Sequence, residues 1–121
     1  MTRRLNLGPT GHVDTFSRDN LPPADQWPDF LLEDFPYPDY LNIGVALTDA
    51  MVEKGFGDNT ALIGNGRQRT YKELADWTNK MAHALVEDYG VRPGNRVLIR
   101  SANNPAMVAC WLAATKAGAV V

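Results

Sequence analysis

The chain has one cysteine, two histidines and a net charge of only −2 across 121 residues. The single Cys110 excludes an internal disulfide and fits a reducing compartment. His12 and His83 have no second His or Cys near them in sequence, so no metal-ligand spacing exists. With 12 basic residues against 14 acidic ones, there is no electrostatic footprint for nucleic acid. Long apolar runs are also missing. The longest, Ala106 to Ala114, is too short to span a bilayer. No apolar run follows Met1-Thr2-Arg3-Arg4, as a secretory signal would require. We therefore expect a cytoplasmic protein with neither a membrane nor a nucleic-acid partner. Hydrophobic residues make up 45%, which excludes wholesale disorder. The length suits one small domain or part of a larger one.

Residues 1 to about 41 stand apart. They hold most of the prolines (Pro9, Pro22, Pro23, Pro28, Pro36, Pro38) and show no sustained helical or strand period. Proline fixes φ and removes a donor, so the segment is extended or turn-like. Phe16, Trp27, Phe30, Phe35, Tyr37 and Tyr40 are interleaved with them. A disordered tail is poor in aromatics, so we expect a strap laid over a globular body and held by its rings. The plainer alternative is an unattached tail.

From residue 42 the pattern is that of an α/β protein. Asn42 reads as an N-cap, followed by Ile43, Leu47, Ala50 and Met51 at helical spacing, with Gly55 as the stop. Thr60 to Ile63, the turn dipeptide Asn65-Gly66 and Arg67 to Arg69 read as a hairpin. Thr70-Tyr71-Lys72-Glu73 is a capping box. It opens a helix with Leu74, Thr78, Met81, Leu85 and Val86 inward, Asp76, Lys80, His83 and Glu87 outward, and Gly90 at its end. Arg92-Pro93-Gly94-Asn95 is a turn, and Arg96 to Arg100 a strand whose continuous apolar centre predicts cover on both faces. Asn104 caps a further helix with Pro105 at its first position, running to about Lys116 and stopping at Gly118. Ala119 to Val121 begins another strand. Strand, helix, strand is a βαβ unit with a partly parallel sheet.

Two features lead us to expect that the sequence is part of a larger domain. Ala106 to Ala114 is apolar on every side, as in a helix packed all round. The last residues read as a strand without a turn or polar close.

Candidate chemistry is scarce. Gly64-Asn65-Gly66-Arg67 lacks the Lys-Ser/Thr of a phosphate loop and sits in a hairpin. Ser101 to Pro105 contains no glycine, which argues against a dinucleotide site. Cys110 lies mid-helix among apolar neighbours, where a thiol is protonated and inert. His83 reads as a surface residue, and His12 beside Asp14 is too little for a catalytic pair. Trp111 reads as core. Asp34, Asp39, Asp49 and Asp58 show no paired spacing for acid–base work.

In order, the chain carries Asn59-Thr60-Ala61-Leu62-Ile63, Arg69-Thr70-Tyr71-Lys72-Glu73-Leu74 and Gly90-Val91-Arg92-Pro93-Gly94-Asn95-Arg96-Val97. Asn104-Pro105 and Ala114-Thr115-Lys116-Ala117-Gly118-Ala119-Val120 follow. This succession resembles the start of the large domain of the adenylate-forming (AMP-forming) acyl-CoA synthetases, with Asn95 where that family usually has Asp. Upstream, Phe16 to Pro23, Gln26-Trp27-Pro28 and Tyr37-Pro38 with Leu41-Asn42 resemble the leader of the benzoate and 2-aminobenzoate CoA ligase branch.

The resemblance implies an incomplete N-terminal subdomain over residues 42–121, behind a leader strap of residues 1–41. It implies a parent ligase using ATP, Mg2+ and CoA on a small aromatic carboxylate. A carboxylate would attack the α-phosphate of ATP, and CoA would then displace AMP. The family's phosphate loop, Thr-Glu segment, ribose-binding Asp and C-terminal Lys have no counterparts here. No catalytic, cofactor-binding or metal-binding residue can be carried over, and the chain alone is expected to be inactive, with the remainder of its own chain as its partner. A non-catalytic binding module derived from this subdomain, or the same ligase class with a fatty-acid or amino-acid substrate, remain as alternatives.

Overall fold

A computed structural model describes residues 8–28 and 37–121. Phe30, Asp34, Phe35 and Pro36 of the N-terminal pattern lie outside these residues. The elements are α1 (Phe16–Asp19), a 3-10 turn (Ala24–Gln26), α2 (Ile43–Ala46), α3 (Asp49–Met51) running into a wide π turn (Val52–Phe56), β1 (Thr60–Gly64), β2 (Arg67–Thr70), α4 (Tyr71–Glu87) and α5 (Pro105–Lys116).

Local signals set several boundaries. Asn65 and Gly66 take positive φ angles of 54° and 70°, the conformation a tight hairpin needs. They join β1 to β2 in an antiparallel pair, with Gly64 opposite Arg67. Thr70 then caps α4. Its hydroxyl accepts from the Glu73 amide at 3.2 Å, and the Glu73 carboxylate accepts from the Thr70 amide at 2.9 Å. On the next helix, Asn104 accepts from the Met107 amide at 3.0 Å, with Pro105 at the first helical position. Lys80 and Asp76 pair at 2.8 Å one turn apart on the outer face of α4.

The core lies where α4, α5 and β1 meet. Leu74, Ala109 and Leu112 are buried together, with Ala61, Leu62, Trp77, Met81 and Val108 packed around them. Small residues let the helices approach. Ala75 and Ala82 are buried on α4, and Ala113 and Ala114 on α5. Helix α2 lies against the C-terminal half of α5 through Gly44, where an added Cβ would sit 2.6 Å from the Leu112 carbonyl oxygen.

Several expectations are corrected. The helix from Asn42 to Gly55 is not continuous. It breaks at Thr48 (φ −129°, ψ −81°), and its last turn widens around Gly55 at φ 88°. Its inward face is also different. Ile43 and Leu47 are exposed, whereas Gly44 and Thr48 are buried, because only a side chain as small as Gly44 fits against the α5 backbone. On α4, Val86 is exposed. Asn79 already meets Lys116, the last residue of α5, so the turn holding Val86 runs past its partner. The strand over 96–100 contracts to one parallel bridge, Arg96 with Val120. Val97 donates to the Val120 carbonyl and Val120 to the Asn95 carbonyl, each at 2.8 Å. With pairing on one side only, Leu98 is 94% exposed, contrary to the cover expected on both faces. Trp111, expected in the core, is 40% exposed on α5. It lies outside the buried group of Leu74, Ala109 and Leu112. The parallel bridge flanking α5 still makes the βαβ connection, so the class is α/β.

Candidate functional site

The most site-like feature is a charged cluster in the seam between α3, α4 and α5. Lys116 ends the apolar helix α5 with its side chain only 5% exposed. Such an ammonium needs partners in place of water. Its Nζ lies 2.5 Å from Asp49 Oδ2 and donates to Asn79 Oδ1 at 2.6 Å. The Asn79 amide nitrogen closes the ring by donating to Asp49 Oδ1 at 3.0 Å. Thr48 places its hydroxyl 2.6 Å from the Gly44 carbonyl and 2.8 Å from Asp49 Oδ2, sharing one proton between them. Burial opposes ionisation of Asp49. The hydrogen bonds from Lys116, Asn79 and Thr48 outweigh it and hold the carboxyl at about 2, below its ordinary 3.8. No buried polar side-chain atom among the described residues lacks a partner. A closed cluster of this kind ties helices together. Asn42 adds a second tie. Its side chain caps α2 through the Val45 amide and donates to the Thr115 and Lys116 carbonyls at the end of α5.

A second cluster joins the N-terminal segment to the turn before the parallel bridge. Asp14 accepts from the Phe16 amide at 3.0 Å, from Asn95 Nδ2 at 2.9 Å and from the Arg96 guanidinium at 2.5 Å. These hydrogen bonds and the Arg96 charge lower its pKa. The Arg96 guanidinium also lies over the Phe16 ring, 4.7 Å from its centroid. Alongside runs an open cleft of about 880 Å3, with His12, Arg18, Tyr40, Asn42, Pro93 and Thr115 among its walls.

The His12 amide donates to the Thr10 hydroxyl at 3.1 Å, and the aspartate beside it is engaged with Asn95 and Arg96. His83 is exposed on α4, and Cys110 is half-buried on α5. Gly64, Asn65 and Gly66 form the hairpin turn, so they do not open onto a helix N-terminus as a phosphate loop does. Among the described residues no three His, Cys, Asp or Glu side chains gather as metal ligands. No described helix is long and apolar enough to cross a membrane. Sequence reasoning missed the Asp49–Asn79–Lys116 cluster. Its one signal was a lysine closing an otherwise apolar helix.

The model of the AMP-binding enzyme family matches residues 50–121. The chain belongs to the AMP-binding enzyme family. That match covers α3, the hairpin, α4, α5 and the parallel bridge, the part of the fold that contains the core. Similar proteins include an acetyl-coenzyme A synthetase of Streptomyces avermitilis, 38% identical over 84 residues, covering 65% of this chain and 13% of the relative. A 3-hydroxybenzoate–CoA ligase of Aromatoleum sp. (strain CIB) is 39% identical over 67 residues, 55% of this chain and 13% of the relative. A crotonobetaine/carnitine–CoA ligase of Salmonella paratyphi A is 37% identical over 71 residues, 54% of this chain and 14% of the relative. The matched stretch is thus about an eighth of the length of these relatives.

Proposed function

We propose that this chain is the N-terminal portion of an ATP-dependent acid–CoA ligase that activates an aromatic carboxylate of the benzoate or 2-aminobenzoate type. The observation that carries the ligase reading is the family match over residues 50–121, together with relatives named as an acetyl-coenzyme A synthetase and as CoA ligases. The relatives' names range over acetyl, hydroxybenzoate and carnitine. The aromatic class therefore rests on the resemblance of residues 16–42 to the benzoate branch.

In such a ligase a carboxylate oxygen bonds to the α-phosphorus of ATP as the bond to pyrophosphate breaks. The CoA sulfur then bonds to the acyl carbon, the thiol proton leaves, and AMP departs. Positioning and charge neutralisation dominate such chemistry. Residues 1–121 take no catalytic, cofactor-binding or metal-binding part in it. They form a leader of residues 1–41 and the first subdomain, residues 42–121, of the large domain. Support for the division comes from α1 and the 3-10 turn, which contain no buried residue. The exposed Ile63, Leu98 and Trp111 support further chain covering them.

The test is pyrophosphate release by the protein extended through its full coding sequence, with ATP, magnesium and a panel of acids. We expect kcat/KM to be highest for benzoate or 2-aminobenzoate. Preference for acetate, a fatty acid or an amino acid would overturn the aromatic assignment. A stop codon directly after Val121 would overturn the ligase reading and leave the non-catalytic module.

A further inference from the structure

Residues 8–28 contribute nothing to the buried core, yet one short stretch of them is tightly engaged. The Val13 and Asp14 amides both donate to the Pro93 carbonyl, at 3.1 and 3.0 Å. The Asp14 carboxylate reaches Asn95 and Arg96, more than eighty positions away in sequence. Gly94 makes the seat. It takes φ +91°, and a Cβ there would lie 1.9 Å from the Asp14 carbonyl oxygen. The receiving turn is itself fixed. Gly94 donates to the Gly118 carbonyl at 2.8 Å, and the Arg92 amide donates to Asn95 Oδ1 at 2.9 Å. Three further hydrogen bonds of this segment are local. Thr15 donates to Asp19, Asn20 to the Phe16 carbonyl, and the Trp27 indole to the Pro22 carbonyl.

We propose that residues 12–16 are a releasable clip, in which Asp14 fastens the N-terminal segment into the Gly94 seat and so holds one wall of the cleft against the ends of α2 and α5. This goes beyond the ligase reading and does not depend on its substrate. The physical basis is the kind of contact. A segment fastened by polar groups, with no side chain in the core, opens locally at a free energy below that of global unfolding. The body behind it keeps its own buried contacts when the clip opens. His12 and the Gly8–Gly11 stretch on one wall of the cleft move with the clip, whereas Asn42, Thr115 and Gly118 on the other stay.

Hydrogen exchange on the full-length protein tests this. Asp14→Ala removes the carboxylate from the clip side, and Arg96→Ala removes the guanidinium from the seat side while leaving the backbone bridge. Asp25→Ala, on the exposed 3-10 turn, is the control. We expect each of the first two to speed exchange of the Val13 amide at least tenfold, with α4 and α5 amides unchanged. The double variant should add less than the product of the singles, because both break one contact. Two results would overturn the proposal. One is an unchanged Val13 rate in both variants, which would mean that the clip does not hold the segment. The other is an equal rise at Val13 and across α4 and α5, which would make the contact part of the global fold.

Discussion

Residues 8–28 and the body from Asn42 onward are held by different physics. In the body, Leu74, Ala109 and Leu112 are buried between two helices and a hairpin, and the buried Lys116 ties three helices at once. In the N-terminal segment Phe16 is 56% exposed and touches the body through Arg96, while a carboxylate and two amides attach residues 13 and 14. Apolar burial is non-directional and spreads over many residues. A polar attachment is directional and concentrates in a few. The body should therefore respond to changes at any of many packed positions, and the segment to changes at very few.

The largest contrast should come from Leu112→Ala. Leu112 is 3% exposed at the centre of the core, and removing it should cost about 2–5 kcal/mol, read as a lower denaturant midpoint. Gly44→Ala should cost about 1–3 kcal/mol by overpacking. Its Cβ would meet the Leu112 carbonyl, which cannot move aside as a side-chain tip can. A neutral Gly44→Ala would show that α2 is not seated on α5 as described.

Acid should loosen the body next. The folded Asp49 carboxyl sits at about 2 against an ordinary 3.8, so folding favours its ionised form. Its stabilising contribution is complete above about pH 4, shrinks as pH falls through the window, and is gone below about pH 2. The loss is at most about 2 kcal/mol, and smaller once solvent screening of a side chain 31% exposed is allowed for. A pH-titrated denaturation series should show this step, and Asp49→Asn should remove it. The smallest effect belongs to the other region. Leu21→Ala, at a residue 45% exposed, should shift stability by no more than about 0.5 kcal/mol. A larger loss would mean that the segment shares the body's core.

The parts of the fold legible in sequence are those with local causes. Asn65-Gly66 sets the hairpin, Thr70 with Glu73 starts α4, and Asn104-Pro105 starts α5, each through groups within a few positions of one another. Features set by distant neighbours were not legible. Gly44 faces inward because α5 arrives there, and that outweighs the apolar spacing of Ile43 and Leu47. Arg96 to Arg100 has strand-forming residues, but a strand needs a ladder, and among the described residues only Val120 supplies a rung. The role of Asp14 depends on a partner more than eighty positions away. For the candidate site, sequence showed correctly that Gly64-Asn65-Gly66 is a turn, and it left the buried Lys116 cluster unseen.

Under the proposed function, residues 1–121 are scaffold and the chemistry of the proposed ligase lies in other residues. The direct measurement is pyrophosphate release from ATP and magnesium with benzoate or 2-aminobenzoate, run side by side on the purified 121-residue chain and on the protein extended through its full coding sequence. The extended protein should release pyrophosphate in an acid-dependent way, and the shorter chain should stay at background. Acid-dependent release by the 121-residue chain would contradict the claim and place catalytic groups among the residues described here.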